Sequence, residues 1–365
     1  MRIAILIYSL AGGGAERATA YMANAWAAAD QEVVILTYGP PHPVEYPLAE
    51  TVTLRRLDCV DGSGLLASLT RIARIRAALS DARPDVVLAM MSTANILLAL
   101  ASIGRPWRTV GSERVSPIFE PKSRVWRWLR TWAYGLLDVA VGQTDRAAEW
   151  LRRHTWAPQV RAVPNMVRWP LPDSQNPVAQ PVVAPGRRLL LAVGRLHRQK
   201  GFDDLIEAFA LVAADHADWD LFILGEGPQR AELEAQAARL GLGDRVRLPG
   251  RMAAMRNWYE RADIFVLSSR YEGFPNVLLE AMAAGAAVIS RDCDDGPREI
   301  IRPEVDGLLA ALDEPGALSD ALRRLMQDEE LRRRLGARAV DVRVRFSETV
   351  VMALWDELLG LNARP

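Results

Sequence analysis

The chain has 365 residues, half of them apolar, with 25 glycines, 22 prolines and two cysteines, and its 45 basic and 45 acidic side chains cancel. That length predicts two domains, and the apolar content excludes a disordered or fibrous protein. Cys59 and Cys293 stand far apart, which excludes a disulfide framework or a cysteine zinc site and fits a reducing cytoplasm.

The opening apolar run, from Ile3 to Ile7, leads straight into Gly12-Gly13-Gly14 without the long apolar core of a signal peptide, so it predicts a first strand over 3–7. Short β-branched runs at 33–37, 86–89 and 139–141 alternate with helical segments at 15–29 and 65–79. That alternation predicts parallel strands joined by crossover helices. No segment nears the roughly 20 apolar residues of a membrane span. Glycines 12–14, directly after a strand, suit the close approach of a phosphate, with a tight turn that binds nothing as the alternative. A dinucleotide fingerprint would need glycine where Arg17 stands and an acid where Thr37-Tyr38-Gly39 stands, which argues against NAD.

The zero net charge conceals an asymmetry. Residues 1–180 carry 20 basic and 15 acidic side chains, whereas residues 181–365 carry 25 and 30. Seven of the 11 tryptophans fall between Trp107 and Trp169. Within that basic region, 121–134 has helical spacing. Val125, Trp128, Leu129, Trp132 and Leu136 share one face, and Lys122, Arg124, Arg127 and Arg130 supply charge. The pattern predicts a helix that lies on an anionic bilayer and holds a lipid diphosphate, or one whose apolar positions cover the sheet beneath. Five prolines between 170 and 186 then mark a linker.

Beyond the linker the alternation resumes, with strands over 189–193, 220–224, 246–248, 264–267 and 287–290 and helices over 204–214, 229–240 and 276–284. Two Rossmann-like halves predict a ligand in a cleft between them, at the carboxyl ends of the strands. The turn Gly194 to Gly201 sets Arg195 and Lys200 five residues apart, so both cations reach one pyrophosphate. Lys200 is one of two lysines, beside Lys122, in a chain that otherwise writes arginine. In Tyr271-Glu272-Gly273-Phe274-Pro275-Asn276-Val277, a rigid turn opens a helix whose free amides suit a phosphate. Glu272 before that turn would accept from a sugar hydroxyl, and Glu280, one turn inside, from a ribose. The plainer alternatives are a helix cap and a surface charge.

These segments in order, with Gly225-Glu226-Gly227 and the two glutamates eight apart, resemble family 4 of the glycosyltransferases. The resemblance covers essentially the whole chain. It implies an α/β GT-B fold, with two Rossmann-like domains facing a central cleft and a C-terminal helix crossing back to the first. The implied bounds are an acceptor domain over 1–169, a hinge over 170–186, a nucleotide-sugar domain over 187–345 and a crossing helix over 346–365. It further implies that Arg195 and Lys200 neutralise the donor diphosphate, that Glu272 meets the donor sugar and that Glu280 meets the ribose. Gly13, Gly14, Gly194, Gly225, Glu226, Arg251, Met252, Gly273, Phe274, Pro275, Asn276 and Val277 would complete the donor site.

A narrower likeness lies in Ser112-Glu113-Arg114, in 292–301 and in Arg345-Phe346-Ser347. These resemble bacterial enzymes that add N-acetylhexosamines or hexoses to polyprenyl-diphosphate-linked glycans. Glu113 and Arg114 join the basic helix on the acceptor side. Because the Ser112–Arg114 segment stands where many members carry a sugar-contacting histidine, the donor hexose stays open. The expected enzyme is a retaining hexosyl- or N-acetylhexosaminyltransferase on the inner face of the cell membrane. UDP-sugar is its co-substrate, with no metal, no other cofactor and no nucleic-acid partner; Asp292-Cys293-Asp294 is read as a loop. The alternatives are a hexosyltransferase acting on a soluble or other lipid acceptor, and a nucleotide-sugar-binding subunit without activity.

Overall fold

The computed structural model describes residues 1–11, 13–40, 46–57, 59, 64–115, 123–171, 183–293 and 295–361. Gly12, Lys122, Asp294 and most of the proline-rich linker lie outside them. By internal packing the chain divides into two units, residues 1–166 with 349–365, and residues 167–348.

The first unit is built on β1 (Arg2–Ile7), β2 (Glu32–Thr37), β3 (Thr53–Arg56), β4 (Val86–Met90), β5 (Arg108–Ser112), β6 (Val139–Gly142) and β7 (Val160–Ala162). They form one parallel sheet in the order β3-β2-β1-β4-β5-β6-β7. Ile3, Ile5 and Leu88 are inaccessible to water, as expected of a parallel sheet covered on both faces. The chain returns to this unit at its end. Helix Glu348–Leu359 buries Val351, Met352, Trp355, Leu358 and Leu359 against Ile3, Ile5 and Ile7. Trp26 adds a hydrogen bond from its indole nitrogen to Asp356 (2.9 Å). Each large side chain so buried contributes about 1.5–3 kcal/mol.

The second unit repeats the plan with β8 (Arg188–Val193), β9 (Trp219–Leu224), β10 (Val246–Gly250), β11 (Ile264–Leu267), β12 (Ala287–Asp292) and β13 (Leu308–Ala311). All pairs are parallel, in the order β10-β9-β8-β11-β12-β13. Numbered within the unit this is 3-2-1-4-5-6, the doubly wound order whose direction reverses between the first and fourth strands. Ligands bind such sheets outside the carboxyl ends of the strands at that reversal, here β8 and β11. Helix Phe202–Ala213 shows why the elements form. It begins at Gly201, which adopts a left-handed φ of 61°, carries Asp203 and Asp204 in its first turn, and buries Leu205, Ile206, Phe209, Val212 and Ala213 along one stripe. Among the described residues no helix is long and apolar enough to cross a membrane.

Candidate active site

The turn after β8 and the turn after β11 meet at the sheet's reversal. Lys200 closes a short 3₁₀ turn, and its ammonium lies 2.5 Å from Oε1 of Glu272. The Ser269 hydroxyl donates to the same oxygen (2.6 Å). Glu272 is only 7% exposed, yet its other carboxylate oxygen has no hydrogen-bond partner among the described residues. One oxygen is therefore tied down and the other is left to accept. Glu272 does not cap the following helix, Asn276–Ala284, because that helix is preceded by Pro275 and has no side-chain cap.

Glu280 is not a surface charge. It is 5% exposed and accepts from the Tyr259 hydroxyl at 2.9 Å. Phe274 is buried edge-on against Phe346, with ring centres 5.5 Å apart. The turn 273–275 is backed by Gly296, whose φ is 82°; a Cβ there would lie 2.3 Å from the Gly273 carbonyl oxygen. Arg345 supports the same region from behind, donating to the Ile300 carbonyl (2.9 Å) and to Asp306 (3.2 Å).

A cavity of about 280 Å3 opens beside the Lys200 turn and is lined in part by Gly194, Arg195, Gly225, Glu226, Arg251 and Met252. Six of the residues expected at the donor thus share one hollow. Arg195 is exposed and makes no side-chain bond among the described residues. Glu226 is held below the usual carboxylate range by hydrogen bonds from Arg230. Asp292 ends β12 in an ion pair with Arg298, and Cys293 behind it is buried, which pushes its thiol up to about 12. Among the described residues no group of three or more His, Cys, Asp or Glu side chains is placed to hold a metal ion.

Gly13 and Gly14 lie in the first unit, at the carboxyl end of β1, and nothing within either unit brings them to the other donor candidates. Gly13 has a φ of 147°, and a Cβ there would meet the Glu16 carboxylate at 2.3 Å. After β5, Glu113 turns inward at 2% exposure and accepts from the Ser92 hydroxyl (2.8 Å) and from Tyr134. Arg114 donates to Asn165 (2.5 Å), while its Nε and Nη1 are buried without partners among the described residues. Burial lowers this guanidinium to about 10, with the Glu16 charge opposing the shift.

Helix Arg124–Tyr134 forms as the spacing predicts, started by the Ser123 hydroxyl accepting from the Trp126 amide (3.2 Å). Its faces correct one expectation. Arg130 is not on the charged surface: it is 3% exposed and its guanidinium sits between Trp126 (5.0 Å) and Trp150 (4.6 Å). The indole faces stabilise the cation inside the fold. Leu129 and Trp132 pack against the core, whereas Val125 (75%) and Trp128 (64%) stay exposed beside exposed Arg124 and Arg127. Arg130→Ala is therefore expected to destabilise the first unit by about 2 kcal/mol, read from urea unfolding, and to leave surface binding unchanged. Unaltered stability would place the side chain elsewhere.

Residues 13–166 match the family described as "Glycosyl transferase 4-like domain", and residues 174–341 match "Glycosyl transferases group 1". With the two doubly wound sheets, these matches show that the chain belongs to family 4 of the glycosyltransferases, which have the GT-B fold. Among its relatives is an N-acetyl-D-galactosaminyltransferase of Campylobacter jejuni, named for adding GalNAc in an α-1,4 linkage to GalNAc-GalNAc-diNAcBac-PP-undecaprenol. It is 27% identical over 344 residues, 92% of this chain and 91% of that one. An exopolysaccharide phosphotransferase of Streptomyces coelicolor is 37% identical over 225 residues, and the match spans 61% of this chain but 23% of that longer protein. The crystal structure of Anabaena HepE, solved with UDP and glucose, superposes with a TM-score of 0.80 over 99% of both chains at 18% identity.

Proposed function

We propose that the chain is a retaining glycosyltransferase that moves a sugar, an N-acetylhexosamine, from a UDP-sugar to a glycan carried on a polyprenyl diphosphate. The observation that carries this reading is Glu272, with one oxygen fixed by Lys200 and Ser269 and the other free, beside the hollow that holds Arg195. In this reading the diphosphate lies against Lys200, Arg195 and the amides of Asn276 and Val277. Those amides begin a helix and lack a partner one turn back. Glu280 takes the ribose hydroxyls, and the hollow takes the base, with Arg251 and Met252 at its rim.

Transfer breaks the bond between the anomeric carbon and the diphosphate and forms one to the acceptor oxygen on the same face of the sugar. The leaving phosphate oxygen accepts the acceptor proton. Negative charge grows on the diphosphate as the sugar becomes oxocarbenium-like, so fixed cations there are stronger partners of the transition state than of the ground state. Glu272 orients the sugar through its free oxygen and forms no covalent bond to it. We propose no metal in this step. Arg195 and Lys200 supply the positive charge, and the pairing of Asp292 with Arg298 supports that reading.

The test is to offer UDP-GalNAc, UDP-GlcNAc, UDP-galactose and UDP-glucose with a synthetic polyprenyl-diphosphate glycan. UDP release and the anomeric configuration of the product are then measured. One UDP-sugar is expected to give acceptor-dependent turnover with retention. Inverted product, or no turnover with any donor, would overturn the assignment.

A lipid-linked acceptor implies a membrane surface, and we propose that Val125 and Trp128 enter the anionic inner leaflet beside Arg124 and Arg127. Two cations near such a surface are worth about 2 kcal/mol, or about 30-fold in partition. Arg124→Ala with Arg127→Ala is expected to reduce co-sedimentation with phosphatidylserine vesicles to that extent at physiological salt. Equal pelleting would remove this helix face from membrane binding.

A further inference from the structure

We propose that Arg270 is a positioning residue: without touching substrate, it braces the Lys200 turn against the Glu272 turn so that the ammonium and carboxylate meet. The inference rests on the reading of Lys200 and Glu272 given above and adds a residue to it.

The two turns belong to different strands, and Lys200 and Glu272 lie 72 positions apart in sequence. Something must fix their register. Three consecutive carbonyls of the first turn are held by the second. The Arg198 oxygen accepts from Arg270 Nη1 (2.6 Å), the Gln199 oxygen from the Arg270 amide (2.8 Å) and the Lys200 oxygen from the Ser268 hydroxyl (2.8 Å). Gln199 Nε2 returns a bond to the Tyr271 oxygen (3.0 Å). The backbones also touch, since a Cβ on Gly201 would lie 2.3 Å from the Ser268 carbonyl oxygen.

Arg270 is the member of this set that also reaches a third element. Its fork grips both oxygens of Asp203 (2.9 and 2.8 Å), and Nη2 also donates to Asp204 (2.8 Å), in the first turn of helix Phe202–Ala213. A planar guanidinium with bonds in fixed directions transmits orientation, which a point charge does not. Burial would raise the Asp203 carboxyl, but hydrogen bonds and charge from Arg270 outweigh it and hold the group below its usual range. Arg291 meets the other oxygen of Asp204 and bonds the Leu312 oxygen (3.0 Å), with no bond to either turn among the described residues. It is the natural control: same network, wrong side.

A brace and a mere stability contact are told apart by what happens at Lys200. The chain has two lysines, so lysine side-chain ¹³C labelling of the full-length protein gives two signals, assigned with Lys122→Arg. Glu272→Gln marks where the Lys200 signal goes when the pair is lost. Arg270→Gln is expected to move that signal toward the same position and leave Lys122 unmoved. Sugar transfer should fall at least tenfold in kcat while UDP affinity changes less than about threefold. Combined with Glu272→Gln, it should cost less than about twofold more, because both act through one pair. Arg291→Gln should leave the Lys200 signal and kcat near wild type. Asp203→Asn, which loosens the fork and keeps its shape, repeats the test if Arg270→Gln fails to fold. A Lys200 signal unmoved by Arg270→Gln or Asp203→Asn, with Glu272→Gln shifting it, overturns the brace. So does a signal that Arg291→Gln displaces equally. If no UDP-sugar is turned over, the functional reading fails, and the lysine signal still judges Arg270.

Discussion

Lys200→Ala is expected to slow sugar transfer by about 10²–10³-fold, the loss seen when one fixed electrostatic partner of a developing anion is removed, equivalent to about 2.7–4 kcal/mol. The reason lies in where its charge is held. Lys200 is anchored on the Glu272 oxygen that the Ser269 hydroxyl also holds, so its ammonium is oriented before substrate arrives. The Lys200 stem also runs along Gly194, whose Cβ position is 3.3 Å from three of its carbons. Because the interaction strengthens as the diphosphate leaves, kcat should carry most of the loss and donor KM little. Lys200→Met keeps the stem and removes the charge, so it should lose as much as alanine. Lys200→Arg keeps the charge but spreads it over a longer, wider, planar head in place of a compact point charge, and should recover only part. Steady-state rates with the preferred UDP-sugar check this. Transfer within threefold of wild type in Lys200→Met would remove the residue from the reaction.

How far this site was legible in the sequence follows from which contacts are local. The β8 and β11 strands announce themselves as unbroken apolar runs, because both faces are covered. Glycine and proline mark the turns after them. The pairing of Lys200 with Glu272 depends on strand order, which lies outside any local pattern. Gln199 and Tyr259 hold the site by bonds 72 and 21 residues long, and as single polar residues they carry no signal of it; Ser269 lies three residues from Glu272, but a lone serine before a turn is too common to mark the contact. Strand β3, Thr53–Arg56, and the last two residues of β12, Arg291 and Asp292, were illegible for another reason. Their polar residues are strand only because a neighbour pairs with them. Arg130 shows the limit of periodicity. Val125, Trp126, Trp128, Leu129 and Trp132 surround the helix with apolar groups, so spacing alone does not select the inner face. Trp150, twenty residues on, makes that selection by covering the guanidinium.

Gly225→Ala is expected to be the most damaging of the conservative changes, costing about 2–6 kcal/mol and most of the nucleotide affinity. Two penalties coincide there. Gly225 has a φ of 141°, a conformation that strains any L side chain by about 1–3 kcal/mol. A Cβ would also lie 1.9 Å from the Gly194 carbonyl oxygen, a clash with backbone that no rotamer relieves, and overpacking adds about 1–3 kcal/mol. The backbones at this point are interlocked: the Gly194 amide donates to Leu224 (2.9 Å), the Gly225 amide to Gly250 (2.8 Å) and the Leu196 amide to Glu226 (3.0 Å). Relief therefore displaces the turn that carries Arg195 and deforms the hollow it lines. Two other glycines of the same unit separate the terms. Gly243 has ordinary φ and open space, so Gly243→Ala should be near neutral, while Gly241, at φ 70° and also open, should show strain alone, about 1 kcal/mol. Urea unfolding followed by tryptophan emission, with UDP titration of each variant, gives the ranking. If Gly225→Ala unfolds with Gly241→Ala and binds UDP as tightly, the close approach of the two turns is not a requirement of the site.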